Sequence, residues 1–341
     1  MLVEHIALTP TNQRPRQPQN GQRVTDAELE PGWTEYGKRV LYTTYDVTAL
    51  VADDSADNVL GVALGRGWYS SAGGGEPTDV ARTLIAKLVV DGETVLATRG
   101  GAAGGWVCGQ GPVVYDSVYN GETYDARLAR AVEGWDLPGF DAADGHWRPA
   151  ARNADPPKGA LVSPKMPPVR RVEALTPVAI AQPQPGVFVL DFGQNIAGRV
   201  CLTLPRAGRG NVTMRHAEVL QHEGIVPADQ LQPGMLYVDN LRSARATDTY
   251  VYDDDSVRGE GEGEGGAGTV DWEPAFTYHG FRYLEVRGHE PKLSEAVAWA
   301  MHTDVAEVGA LDFSDDLLNR IHRAIHWGQR ANVMSVPTVS A

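Results

Sequence analysis

His322 and His326 stand four residues apart, a spacing that sets two imidazoles on one face of a helix where they could share a metal ion. No carboxylate or third ligand is placed with them and the HExxH pattern is absent, so the pair reads as a polar helix face. His216 and Glu218 lie two apart on a predicted strand and would point to the same side. With no nucleophile or second acid close in sequence, they read as a buried hydrogen-bonded pair and not as an acid–base couple. Ser314, Ser335 and Ser340 sit in no GxSxG setting, which leaves serine hydrolysis without support. Gly73-Gly74-Gly75 lacks the Lys-Ser/Thr of a phosphate loop and reads as a turn. Trp68 and Tyr69 offer aromatic faces that a sugar ring could stack on, and they are the candidate substrate-binding residues. Aromatic pairs at strand ends also serve as core plugs, and Tyr278, His279 and Phe281 are open to the same two readings. The residues on their own give no catalytic set, no metal-ligand set and no cofactor motif.

These side chains must be carried by elements that the apolar pattern makes mostly β. Alternating or short apolar runs predict strands at Val40 to Val47, Asn58 to Leu64, Val113 to Tyr119, Val172 to Ile180, Val187 to Phe192, Arg199 to Leu204 and Asn211 to Ala217. Further strands are predicted at Thr249 to Tyr252, Phe281 to Val286 and Ala296 to His302. Leu84 to Val90, Asp91-Gly92 and Thr94 to Ala97 form a hairpin signal, because Asp-Gly supplies the positive φ of a tight turn. Residues 1–19 are expected to be irregular, and the proline-rich stretch 151–171 to be a linker. Asp253 to Gly268, where glycine alternates with glutamate, reads as a solvated loop with no fixed spacing for calcium. At the C-terminal end the period changes. Ser314 with Asp315 and Asp316 marks a helix start, and Leu318, Ile321 and Ile325 give it an apolar stripe as far as about Asn332.

Composition narrows the function classes. The chain has 341 residues, enough for two domains, and its 38 glycines and 22 prolines suit turn-rich β structure. Lys and Arg number 30 against 44 Asp and Glu, a net charge of −14 that repels phosphate backbones and anionic bilayers. Nucleic acid and membrane are therefore not expected partners, while a neutral glycan meets no such barrier. Cys108 and Cys201 are too few and too far apart for a zinc site or a disulfide framework, and read as two buried free thiols. No signal peptide and no apolar run of membrane-spanning length is visible, so a cytoplasmic location is expected.

Four blocks in order carry a resemblance. They are Asp191-Phe192-Gly193-Gln194-Asn195-Ile196-Ala197-Gly198-Arg199, Arg215-His216-Ala217-Glu218, Asn240-Leu241-Arg242-Ser243-Ala244-Arg245-Ala246-Thr247-Asp248, and Phe276-Thr277-Tyr278-His279-Gly280-Phe281-Arg282-Tyr283-Leu284-Glu285. Upstream, Asn20-Gly21, Leu29-Glu30-Pro31-Gly32-Trp33-Thr34-Glu35-Tyr36, Gly65-Arg66-Gly67-Trp68-Tyr69 and Gly121-Glu122-Thr123-Tyr124-Asp125-Ala126-Arg127 extend it. Together they resemble the bacterial-type α-L-rhamnosidases, the inverting glycoside hydrolases of family 78, over roughly Asn20 to Thr338.

The resemblance implies an all-β chain of two β-sandwich domains in series, 20–150 and 172–310, the second concanavalin-like. Residues 311–341 would then begin an α-helical (α/α)6 catalytic barrel. It implies a rhamnose-containing glycoside or polysaccharide as substrate, no cofactor, and release of terminal non-reducing α-L-rhamnose. Inversion needs two carboxyl groups, one acid and one base. In the family the general acid follows a block like Asn332-Val333-Met334-Ser335-Val336-Pro337-Thr338, whereas here Thr338 is followed by Val339-Ser340-Ala341. The expectation is a partial enzyme, cut at both ends, with no catalytic residue of its own and inactive alone. The alternative is a non-catalytic carbohydrate-binding or scaffold protein built of the same sandwiches.

Overall fold

The computed structural model describes residues 2–10, 21–51, 58–71, 75–98, 105–142, 146–253 and 268–338. Its largest unit is a ten-stranded sheet built on one long strand, Val187–Pro205. A single pass of the sheet runs through Val169–Leu175, Ala296–Thr303, Val187–Pro205, His279–Arg287, Asn211–Ala217, Thr247–Val251, Gly121–Asp125 and Val113–Ser117. Ala179–Gln184 and Thr269–Trp272 pair with other parts of the long strand. The two runs predicted at 187–192 and 199–204 are thus one strand, interrupted by an irregularity between Asp191 and Ile196. Gly193 sits there at φ 76°, and its N–H donates to Asp191 Oδ1 at 2.7 Å. The single run predicted at 172–180 is instead two strands, separated around Pro177.

The pleat decides which residues form the core. Leu190, Val200, Leu202, Leu204, Val212, Met214, Phe281, Leu284 and Val286 are wholly buried in one cluster. Each such side chain contributes on the order of 1.5–3 kcal/mol by leaving water. Close approach between strands also demands glycine. A Cβ on Gly198 would overlap the carbonyl oxygen of Trp299 on the neighbouring strand, and no rotamer change relieves a clash with backbone. Gly198→Ala is expected to lose about 3 kcal/mol or more of stability, read as a fall in urea midpoint. A loss under ~0.5 kcal/mol would mean that the strands part easily here.

The N-terminal portion does not stand apart from this sheet. Its strands Val113–Ser117 and Gly121–Asp125 join it, the latter running parallel to Thr247–Val251. Tyr124 stacks on Tyr250 with ring centroids 5.5 Å apart. Residues 1–19, expected to be irregular, include the strand Leu2–Pro10, which pairs antiparallel with Asn58–Gly65 and Gln22–Arg23. The strand predicted at 40–47 shrinks to Arg39–Leu41. Its only partner strand among the described residues, Ala160–Val162, runs towards Pro164, which has no N–H to continue the ladder. That short strand and the start of Val169–Leu175 also give the 151–171 stretch regular structure inside the expected linker.

The Lys87–Val90 and Glu93–Ala97 hairpin turns through Asp91 at φ 50° and Gly92 at φ 84°, as Asp-Gly predicts. Cys108 is exposed and Cys201 half-buried, against the expectation of two buried thiols. Burial pushes the Cys201 thiol up to about 11. Gly73, Gly74 and most of the Gly-Glu stretch lie outside the described residues.

The C-terminal helix, α1, spans Asp316–Ala331. Its cap is Asp315, whose carboxylate accepts the Leu317 N–H at 2.8 Å, one residue later than the predicted Ser314. Trp327 and Ala331 pack against the β cores, whereas Leu317, Leu318, Ile321 and Ile325 face outward. No helix among the described residues is long and apolar enough to cross a membrane.

Candidate functional site

Polar groups that water cannot reach concentrate where the N-terminal strands meet the large sheet, in two clusters. The first is ionic. Arg199 on the long strand is 1% exposed and Glu28 2% exposed, which makes them among the most deeply buried charges described. Arg199 Nη2 donates to Glu28, Nη1 to the Ala275 carbonyl at 2.6 Å, and Nε lies 3.1 Å from Glu273. Arg171 binds the same two carboxylates at 2.9 and 3.1 Å, and Arg23 approaches Glu28 at 3.5 Å. Three guanidiniums thus enclose two carboxylates, joining residue 28 to residues 171–273.

The second cluster is built on Asp248. Its Oδ1 accepts the Glu122 N–H at 2.8 Å, and His279 Nε2 lies 3.2 and 3.1 Å from its two oxygens. The His216 ring stacks on His279 with centroids 4.2 Å apart. His216 Nδ1 stands 3.1 Å from the Ala246 carbonyl, which only accepts, so that nitrogen carries a proton. Burial and the adjacent His279 hold His216 down to about 3, so it is neutral. Asp248 stays below the usual carboxylate range: burial opposes this, but His279 and His216 beside it and the Glu122 N–H outweigh the burial. Glu122 is the opposite case. Burial lifts it to about 8, against the Phe276 and Ala275 N–H groups that donate to its Oε2 at 2.8 and 2.9 Å. Its Oε1 is buried without a hydrogen-bond partner among the described residues.

His216, Asp248 and His279 have ligand-type atoms within 4.8 Å of one another. Their hydrogen bonds account for this closeness. The His279 nitrogen is shared by both Asp248 oxygens, His216 Nδ1 is committed to Ala246, and stacked rings set their nitrogens side by side and not tetrahedrally around a point. The cluster is a hydrogen-bonded hub that ties four strands.

The residues singled out in the sequence are distributed differently from expectation. His216 is buried, but Glu218 is not its partner. The strand ends at Ala217, and Glu218 turns out to accept from Asn195 at 2.8 Å. His326 faces Glu307 at 3.4 Å. Trp68 is half-buried, edge-on to Tyr119 at 5.6 Å, and Tyr69 is edge-on to Tyr36 at 5.1 Å. Trp68 lines a cleft with Leu29, Pro31, Trp33, Tyr278 and Met334. The cleft has room of about 20 Å³, close to one water molecule, and no carboxylate lines it. Sequence reasoning missed Glu28, Glu122, Arg199, Asp248 and Glu273 as structural centres. Only His216 carried a local signal, the alternation with buried Val212 and Met214.

Comparison with known proteins places this architecture. Residues 18–173 match the alpha-L-rhamnosidase N-terminal domain, and residues 181–302 the bacterial alpha-L-rhamnosidase concanavalin-like domain. The chain belongs to the bacterial α-L-rhamnosidase family, of which it carries these two domains in order. It is 39% identical over 325 residues to an alpha-L-rhamnosidase of Streptomyces avermitilis, covering 94% of this chain and 29% of that protein. The crystal structure of the Streptomyces avermitilis alpha-L-rhamnosidase complexed with L-rhamnose superposes with a TM-score of 0.77 at 35% identity, over 99% of this chain and 31% of that one. The alpha-L-rhamnosidase from Dictyoglomus thermophilum gives 0.75 at 32% identity, over 98% of this chain and 33% of that one. The chain thus spans about a third of the length of the relatives it matches.

Proposed function

We propose that this chain forms the accessory β part of an inverting α-L-rhamnosidase acting on terminal non-reducing α-L-rhamnose, and that α1 is the first helix of its α-helical catalytic barrel. The observation that carries the reading is two consecutive rhamnosidase domains, matched in order from residue 18 to residue 302. The role of these residues is mechanical. They hold a rigid platform through the Arg199 and Asp248 clusters and dock the segment 333–337 on it. There Met334 is buried beside Leu29 and Tyr278, and the Ser335 N–H donates to Thr303 Oγ1 at 2.8 Å.

Inversion needs an acid and a base on opposite faces of the sugar, and the cleft beside Trp68 presents neither. The purified 341-residue chain is therefore expected to leave an aryl α-L-rhamnoside unhydrolysed. Turnover above that of a heat-treated control would sink this part of the proposal. Sequencing the DNA across the codons for Thr338 to Ala341 tests the rest. A frame continuing into an Asp-Cys-Pro-x-Arg-x-Glu-Arg block supports the enzyme, and a stop with no such block downstream favours a non-catalytic protein. In this reading Trp68 and Tyr69 serve packing, so L-rhamnose should leave tryptophan emission unchanged. Saturable quenching lost in Trp68→Ala would return sugar binding to that face.

A further inference from the structure

His302 lies buried near the end of the Ala296–Thr303 strand, between two groups whose chemistry is fixed. Its Nδ1 is 2.7 Å from the Thr303 carbonyl oxygen, which only accepts, so Nδ1 bears a proton. Its Nε2 is 2.9 Å from Arg330 Nε, and a guanidinium only donates, so Nε2 bears the lone pair. Both bonds can exist together in one state of the ring, the neutral Nδ1–H tautomer.

Arg330 lies in the last turn of α1. Its guanidinium covers the Trp327 ring at 4.3 Å and reaches Glu173 at 3.3 Å, so it supplies the polar contacts from this end of the helix to the sheet, beside the apolar packing of Trp327 and Ala331. The outward apolar stripe gives the remainder of α1 little hold on the β-domains.

Charged groups face His302 from three sides. The helix presents Arg330, the strand Val169–Leu175 presents Arg170, its cross-strand partner, together with Glu173, and the chain beyond the strand presents Asp304. Glu173 is already paired with Arg330, and Asp304 with Arg170 at 3.3 Å. The hairpin 333–337 contributes no titratable group. A second proton on His302 would therefore meet two guanidiniums and find Glu173 engaged by Arg330, and Asp304 and Asp26 by Arg170.

We propose that His302 and Arg330 form a proton-operated latch: protonation of His302 at Nε2 expels the Arg330 guanidinium and releases the C-terminal turn of α1 from the sheet. The latch is independent of the enzymatic reading, because it rests on this chain's contacts alone.

Two measurements on the whole chain test it. Nitrogen-15 NMR of the His302 imidazole should show Nε2 unprotonated at about pH 7.5; a protonated Nε2 there would overturn the latch whatever any variant does. Amide hydrogen exchange of residues 320–331, corrected for intrinsic rates, should speed up several-fold, to ~10-fold at most, between about pH 7.5 and 5.5. His302→Gln supplies an acceptor for Arg330 that does not titrate, and should hold the helix equally at both pH values. Should that variant fail to fold, Arg330→Met should exchange fast at both values, with the pH difference gone. Equal protection of the wild-type helix at both pH values, or an unchanged pH response in either variant, would sink the proposal.

Discussion

Replacing Arg199 by alanine is expected to lower stability by about 3–5 kcal/mol, the range found when one partner of a buried ion pair is removed. The reason is the number of groups that one side chain satisfies. Arg199 donates to Glu28 and the Ala275 carbonyl and holds its Nε 3.1 Å from Glu273 as an ion pair, and all lie where water is scarce. Without it, two carboxylates share Arg171 and the more distant Arg23. Arg199→Lys should recover only part of the loss, since a single ammonium cannot address three acceptors fixed by a planar fork. A double-mutant cycle with Glu28→Ala separates the pair from the rest. Once Arg199 is alanine, deleting the Glu28 carboxylate should cost little or even stabilise, because an ill-compensated buried charge goes with it. Denaturant unfolding of the three variants gives the answer. A loss below ~1 kcal/mol for Arg199→Ala would show that water reaches the cluster.

How much of this was legible in the sequence depends on how far apart the interacting residues lie. Local pattern found the 211–217 and 296–303 strands, the Asp-Gly hairpin and the outward stripe of α1, because pleat, turn and helix period are written within a few residues. It failed where a neighbour decides. The run at 40–47 has the composition of a strand, but its partner ends at Val162, two residues before a proline. Residues 2–10 offered no turn or motif to anchor a reading, yet they find 58–65 as a partner.

The site follows the same logic more severely. Glu28 and Arg199 are 171 residues apart, and Asp191 meets Arg282 across 91 residues. On an alternating strand Arg199 belongs to the face opposite Val200 and Leu202, which a lone sheet would leave in water. It is buried because the N-terminal domain covers that face, and nothing local encodes the cover. The family motifs were legible as motifs. What they were for, chiefly joining two domains through buried charge, became visible only with the partners in place.

The acid Glu122 should give the protein an alkaline weakness that its amide lacks. Burial raises Glu122 to about 8, so above the ordinary value of 4.5 the folded state keeps a proton that the unfolded chain has released. Its contribution is complete below pH 4.5 and disappears as pH climbs towards 8. His216 has the other sign. Held down to about 3 from 6.5, it adds stability as pH rises through that interval and nothing further above it. Asp248, also lowered, acts only at the acid end, near and below its ordinary 3.8. Between 4.5 and 6.5 the Glu122 and His216 slopes oppose each other, and of these three groups only Glu122 still acts from 6.5 to 8.

The expected urea-midpoint profile thus rises in acid, flattens, then falls by about 2 kcal/mol from pH 6.5 to 8, since each unit is worth about 1.4 kcal/mol. Glu122→Gln keeps an oxygen for the Phe276 and Ala275 N–H groups and removes the ionisation, at the cost of a buried amide donor worth about 1–3 kcal/mol. The variant should be the weaker protein at about pH 5, where Glu122 is neutral anyway, and should lack the fall from pH 6.5 to 8. Parallel profiles for the two proteins from pH 5 to 9 would mean that Glu122 ionises in the folded state at ordinary acidity, its charge held by the two N–H groups that flank it.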